Sequence, residues 1–130
     1  SHSFAHHCKE KVHCFEKLLA YYPIRNKRID GKEREKWGIH HRGLTVLDAQ
    51  SIAPTITNLH DDYLHYQEPR IMTVRECARI QSFPDWYEFK SKYTTGGQMR
   101  KIEVPRYSQV GNAIPPLFAQ QAGLVLKEML

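Results

Sequence analysis

Apolar residues in the first part of the chain recur with the spacing of an amphipathic helix. Over residues 4–22 the intervals are mostly three and four, which places one stripe of side chains on a single face: Phe4, Cys8, Val12, Phe15, Leu18, Leu19 and Tyr22. This period predicts a helix that buries one side. Pro23 follows directly and lacks the N–H group that a further helical turn needs. The helix is therefore predicted to end at Tyr22.

The next stretch has no such period. Residues 25–43 are polar and basic, and Gly31 and Gly38 interrupt them. This composition predicts a loop, with at most a short helical turn around residues 32–37.

Two short runs with β-type composition come next. They lie at residues 44–47 and 55–57, and a turn-rich segment separates them. Pro54 stands at the entry to the second run, where a strand tolerates a missing backbone donor. We predict a small antiparallel β element within residues 44–66.

A second helix is predicted over residues 74–82. Thr73 and Glu76 have the spacing of a capping box, in which each side chain accepts a backbone N–H of the other residue. The Phe-Pro-Asp sequence at residues 83–85 ends this helix. Residues 86–106 then predict an exposed connection.

The last helix is predicted over residues 113–129. Pro115 and Pro116 fall in its first turn, where a missing N–H costs little. An apolar stripe follows at Ile114, Leu117, Phe118, Ala122, Val125 and Met129. Because large exposed apolar patches are rare, we expect the first helix or a second copy of the chain to cover it. Three helices and a small β element make the fold class α+β.

Composition adds a few constraints. The 130 residues fit one small domain, and no apolar run approaches the length of a membrane span. A net charge of +5 favours polyanions such as DNA as partners. The odd number of cysteines (Cys8, Cys14 and Cys77) favours reduced thiols and a cytosolic protein.

Two stretches carry a more specific signal. Residues 70–86 read RIMTVRECARIQSFPDW, and residues 106–123 read RYSQVGNAIPPLFAQQAG. In this order they resemble the ninth and tenth motifs of the DNA (cytosine-5) methyltransferase family. Residues 53–57 resemble the end of that family's target-recognition domain. By this resemblance, residues 1–69 are an N-terminal helix with a remnant of the recognition domain, and residues 70–130 return to a Rossmann-like cofactor domain.

The resemblance implies the cofactor, the partners and several site residues. S-adenosylmethionine would be bound in the complete enzyme, with Asn112 and Ala113 lining its pocket. Thr55 would lie near the DNA backbone around the flipped base. Arg70 is a further DNA-binding candidate. The resemblance also implies that the chain belongs to an enzyme of DNA restriction and modification. Such an enzyme would be bacterial or phage-encoded, and it would lie in the cytoplasm, associated with the nucleoid.

The residues that perform the chemistry in this family are absent from these 130 residues. No cysteine follows a proline, so the attacking Pro-Cys thiolate is missing. Glu-Asn-Val, the glycine-rich Phe-x-Gly-x-Gly loop and Gln-x-Arg-x-Arg are missing too; residues 98–101 echo the last only in part. We therefore expect a C-terminal part that is inactive alone and needs an N-terminal portion bearing the nucleophile. The alternative is a non-catalytic remnant that binds DNA or protein.

Other patterns have two interpretations each. The cysteines and histidines between residues 6 and 14 suggest zinc, but a second ligand pair is missing, which favours half-buried thiols. Cys77 is a nucleophile or, as we favour, a small buried helix residue. Asn112 is a cofactor contact or only a helix cap.

The basic segments are equally open. The run from residue 25 to residue 36, with Arg25 and Arg28 as candidates, is either a set of phosphate contacts or a solvated loop. Basic residues also surround the Gly96–Gly97 turn. This turn binds an anion or, in the interpretation that we favour, is a surface loop.

Overall fold

A computed structural model describes residues 3–94 and 97–130, without the side chain of Arg100. The chain divides into two units. The N-terminal unit comprises the residues up to Thr55 together with His60–Thr73. The C-terminal unit comprises Ile56–Leu59 together with Val74–Leu130.

A three-stranded sheet and one long helix form the N-terminal unit. Its elements in chain order are α1 (Lys9–Tyr21), β1 (Arg28–Ile29), α2 (Gly31–Lys36), β2 (Leu44–Val46) and β3 (Tyr63–Leu64). The central strand β2 pairs antiparallel with β1 and parallel with β3. The sheet is therefore mixed, and the predicted all-antiparallel element is wrong in this respect.

The core of this unit lies between α1 and the sheet. Its buried members are Phe15, Leu18, Tyr22, Ile29, Ile39, Leu44, Val46, Leu64 and Ile71. Three of them, Phe15, Leu18 and Tyr22, belong to the stripe that the sequence predicts. The amphipathic interpretation is confirmed for the central and C-terminal turns of the helix.

The helix is shorter than predicted at its N-terminus. Residues 3–8 are not helical, and α1 begins at Lys9. Tertiary contacts hold this segment instead. The Arg70 guanidinium carbon lies 4.7 Å from the centre of the Phe4 ring, and the His7 ring packs edge-on against Phe15 with 5.3 Å between the ring centres. These ring contacts compete with the helical conformation that the spacing alone favours.

The predicted strand at residues 55–57 does not form. Ile56–Leu59 belongs to the C-terminal unit, where Ser108 Oγ donates to the Asn58 carbonyl at 3.2 Å. The second partner of β2 is β3, which lies further along the chain.

Helices dominate the C-terminal unit. They are α3 (Val74–Ile80), a 3-10 helix (Gly97–Lys101), α4 (Arg106–Asn112) and α5 (Pro116–Met129). The starts of α3 and α5 agree with the sequence to within about one turn, whereas α4 was not predicted. In the connection predicted to be exposed, Phe89 is buried against Phe83 and Tyr87. Gly96 lies outside the described residues.

The last helix has no buried residue. Phe118 is 67% exposed, and other apolar side chains of this segment are similarly open: Ile114, Leu117, Leu124, Val125, Leu126 and Met129. The prediction that the first helix covers this stripe is wrong, because the stripe is exposed to solvent. We call these seven residues the α5 stripe. Among the described residues, no helix has the length and apolarity needed to cross a membrane.

Candidate cofactor and DNA-binding site

The two sequence motifs meet at the junction between α4 and α5. The Gln81 side chain, which is buried, donates to the Val110 carbonyl at 3.1 Å. Ser82 Oγ accepts the backbone N–H of Leu117 at 3.1 Å. Residues from the end of the first motif therefore satisfy backbone groups at the end of α4 and the start of α5, where helices leave such groups without partners. These bonds position residues 111–116.

Gly111 brings α4 against the segment Ile56–Leu59. A Cβ atom at this position would lie 2.5 Å from Asn58 Cα and closer still to the Thr57 carbonyl. Because Gly111 is within the helix, the glycine is needed for space and not for an unusual backbone conformation. The Gln-Val-Gly-Asn sequence at residues 109–112 is thus the last part of a helix.

Asn112 is the last residue of α4, and Ala113 caps that helix at its C-terminus. The Asn112 side chain is exposed and makes no hydrogen bond to any described residue. The alternative that it caps the last helix is wrong, because α5 has Pro115 at its N-cap. The amide group is therefore free to meet a ligand.

An open pocket lies beside Asn112. Its volume is about 270 Å³, and its lining consists of Asn58, Leu59, Val104, Pro105, Ser108 and Asn112. Pockets that hold a whole small ligand usually measure about 300–1,000 Å³ and enclose most of it. Apolar side chains beside a few amide and hydroxyl groups suit one wall of such a pocket.

The DNA-binding candidates Thr55 and Arg70 lie in the N-terminal unit. The Thr55 side chain is exposed, and its carbonyl accepts the Tyr63 hydroxyl at 2.5 Å. The Arg70 side chain is mostly buried, and its Nη1 donates to the Ile71 carbonyl at 3.2 Å. Thr55 thus presents a free hydroxyl, whereas Arg70 is engaged within its own unit.

The candidates Arg25 and Arg28 are also held by internal partners. Arg25 Nη2 donates to the Leu19 carbonyl at 3.1 Å, and its Nη1 is buried without a hydrogen-bond partner. Arg28 Nη1 lies 3.3 Å from a carboxylate oxygen of the buried Asp62. Lys27, which stands between them in the sequence, is exposed.

Cys77 is buried and Cys14 is partly buried, as is usual for structural thiols, whereas Cys8 is exposed. Cys77 is buried in α3, and burial raises its pKa to about 12. Its exposure of only 3% within α3 confirms the interpretation of Cys77 as a small buried helix residue. Burial also raises the pKa of Cys14 and lowers the pKa of His7 and of His41. Within residues 3–94 and 97–130, no three potential ligands are grouped to hold a metal ion.

Sequence reasoning missed the role of Arg75. This side chain is buried at 5% exposure, and its Nη2 donates to the Tyr87 carbonyl at 2.6 Å. Its Nη1 donates to the Pro84 carbonyl at 3.3 Å. Arg75 therefore ties α3 to the loop that follows. The Arg-Glu pair after the capping threonine was visible in the sequence, but it does not disclose which partner the arginine meets.

The sequence of the chain matches one family of known proteins. C-5 cytosine-specific DNA methylases match residues 4–128, which is nearly the whole chain. The chain belongs to this family. Membership confirms the family that the sequence resembles, whereas the assignment of residues 70–86 and 106–123 to its ninth and tenth motifs stays a prediction.

Individual relatives differ greatly in length. The type II methyltransferase M.AquIB of Picosynechococcus is 34% identical over 109 residues, which are 82% of this chain and 78% of that protein. The type II methyltransferase M.DdeI of Desulfomicrobium norvegicum is 44% identical over 68 residues, or 52% of this chain and 16% of that protein. DNA (cytosine-5)-methyltransferase 2 of Arabidopsis thaliana is 48% identical over 66 residues, or 51% and 4%. No solved structure matches the chain.

Proposed function

We propose that this chain is the C-terminal part of a DNA cytosine-5 methyltransferase and transfers no methyl group unaided. It would complete the cofactor pocket and the DNA cleft of a portion that bears the Pro-Cys nucleophile, Glu-Asn-Val and the glycine-rich loop. Family membership together with the lack of these motifs in the 130 residues supports the proposal. Residues 1–69 would serve DNA recognition, and residues 70–130 the cofactor domain.

A separate polypeptide is a reasonable carrier for the catalytic portion. The 109 residues aligned with M.AquIB are 78% of that protein, which makes it about 140 residues long. A methyltransferase name thus belongs to a relative of nearly this chain's size. The type II names of two bacterial relatives support a role in DNA restriction and modification, in the cytoplasm at the nucleoid.

Asn112 and Ala113 would form one wall of the S-adenosylmethionine pocket. The observation that supports this is the exposed Asn112 amide, which has no partner among the described residues and borders an open pocket of about 270 Å³. Bound S-adenosylmethionine would supply an activated methyl group. The chain's own contribution would be to orient that cofactor through the Asn112 amide and to exclude water with Leu59 and Val104.

DNA contact would come from the N-terminal unit. Thr55 offers an exposed hydroxyl, and such groups position a protein on phosphate oxygens. Arg70, Arg25 and Arg28 already have partners within the chain. A DNA contact by these arginines would therefore use their remaining N–H groups. An arginine has five N–H donors, so both roles are compatible.

The α5 stripe would be the contact with the catalytic portion. Seven exposed apolar side chains lie close together in the sequence of this segment, and a contiguous exposed apolar patch marks an interaction site. In the family, the last helix packs on the Rossmann-like sheet of the cofactor domain. We propose that this stripe is covered in the same manner when the two portions join, and that a homodimer is its substitute when the chain is alone.

Reconstitution tests the proposal. The chain alone should transfer no labelled methyl group from S-adenosylmethionine to DNA, because it lacks the nucleophile. Mixing it with the cognate portion that carries the missing motifs should produce cofactor-dependent 5-methylcytosine. Labelled DNA from the pure chain would overturn the proposal. No methylation from a mixture that forms a stable complex would favour the non-catalytic remnant.

Phe118→Glu should weaken this reconstitution. A carboxylate in an apolar interface loses its hydration without gaining a partner. We expect the concentration for half-maximal methylation to rise by more than about tenfold, which corresponds to 1.4 kcal/mol. Gln120→Glu adds the same charge at an exposed polar position of α5 and should leave the titration unchanged. Equal effects of the two variants would contradict a docking role for the stripe.

A further inference from the structure

A basic cavity in the C-terminal unit has no assigned role. It measures about 220 Å³ and is lined by Val74, Arg75, Glu88, Phe89, Lys90 and Arg106. Three cations face one carboxylate here, so the lining has a net formal charge of +2. The volume is several times the ~30 Å³ that a water molecule occupies in the liquid. It is separate from the pocket that borders Asn112.

The deepest cation of this cavity lacks a counter-ion. Arg75 donates to two backbone carbonyls and lies 6.0 Å from the Phe89 ring centre, but it has no ion pair with any residue in the described ranges. A buried charge without an opposite charge is costly, and an anion in the cavity would offset that cost. Two of its five N–H groups are occupied, which leaves donors for such an anion.

A second guanidinium is held in a defined position at the same cavity. Arg106 Nε donates to the Ser91 carbonyl at 2.6 Å, and its guanidinium lies 4.5 Å from the Tyr93 ring centre. The exposed Lys90 adds a mobile ammonium. Planar guanidinium groups fixed by packing suit the tetrahedral oxygens of phosphate, and a lysine adds a point charge.

We infer that this cavity binds a phosphate group through Arg75, Lys90 and Arg106. The phosphate is either inorganic phosphate or a phosphodiester of DNA; the second source rests on the proposed function, and the first does not. A phosphodiester here would give the C-terminal unit its own contact with DNA, in addition to the contacts proposed for the N-terminal unit. Such a contact would add affinity that depends on salt and not on base sequence.

Titration of the full chain with inorganic phosphate tests the cavity. The arginine Nε–H signals of Arg75 and Arg106 should shift together and saturate in two-dimensional nitrogen–proton NMR spectra. Lys90→Glu should weaken binding by about fivefold, as expected for an exposed charge. Lys90→Arg should retain it. Lys17→Glu changes the net charge by the same amount at an exposed position of α1, and it should have no effect.

A duplex DNA titration at fixed salt distinguishes the two sources. Weaker DNA binding by Lys90→Glu than by Lys17→Glu assigns the site to a phosphodiester, even where inorganic phosphate binds poorly. Saturable phosphate binding with no difference between these variants on DNA assigns it to a free phosphate. The inference is overturned if neither ligand distinguishes the two variants, or if acetate shifts the arginine signals as strongly as phosphate. Because methyl transfer is not measured, failure here leaves the proposed function untouched.

Discussion

Gly111→Ala is expected to destabilise the C-terminal unit by about 3 kcal/mol, the upper end of usual overpacking penalties. The added methyl group would lie 2.5 Å from Asn58 Cα and nearer still to the Thr57 carbonyl. Both neighbours are backbone atoms, which cannot rotate away as a flexible side chain does. The helix must therefore move off the segment Ile56–Leu59, which would break the bond from Ser108 to the Asn58 carbonyl.

Gly123→Ala is the matched control for this prediction. Gly123 lies within α5, and a Cβ atom there would meet nothing within 4 Å. Alanine in a helix interior is about 0.5–1 kcal/mol better than glycine, so this variant should be slightly more stable. Urea unfolding followed by circular dichroism measures both changes. Faster amide exchange in α4 should accompany Gly111→Ala alone, and equal stability of both variants would contradict the close approach.

Arg75→Met is expected to cost about 2–3 kcal/mol, the upper part of the range for a hydrogen bond that involves a charged group. Methionine keeps most of the apolar stem, so the effect reports the lost guanidinium group. The Tyr87 carbonyl loses its donor at 2.6 Å, whereas the Pro84 carbonyl still accepts the Tyr87 N–H at 3.0 Å. The loop after α3 should loosen around Phe89.

Arg79→Met serves as its control on the same helix. Arg79 forms a two-pronged ion pair with Asp85, but both side chains are more than half exposed. Exposed ion pairs contribute little, so this variant should unfold at nearly the wild-type urea concentration. Exchange of the amides in residues 84–89 should rise for Arg75→Met only. A larger loss of stability in Arg79→Met would show that Arg75 does not organise the loop.

The local sequence pattern was sufficient to predict those elements that form because of their own residues. The amphipathic stripe of α1, the start of α3 directly after Thr73 and the prolines at the start of α5 are features of one or two helical turns. The motifs in residues 70–86 and 106–123 are likewise contiguous, and they were enough to identify the family. The roles of Asn112, Ala113, Thr55, Arg70, Arg25 and Arg28 rest on that resemblance or on the basic run, and they stay predictions.

Elements that depend on distant partners could not be predicted in this way. The stretch Arg106–Asn112 contains serine, glycine and asparagine, which are poor helix formers, and it is helical where Gln81 and the segment at Thr57 hold it. The parallel pairing of β2 with β3 joins strands that are far apart in the chain, so its direction is set by packing.

The sequence by itself therefore determined the family and the main helices, because these reside in adjacent residues or in a helical period. Only the tertiary structure decided which backbone atoms Gly111 approaches, that Asn112 is open to a ligand, and that Arg75 lines a basic cavity. Each of these features depends on contacts of a few ångströms between residues that are more than ten positions apart in the sequence. The hydrophobic period of a segment does not specify such contacts.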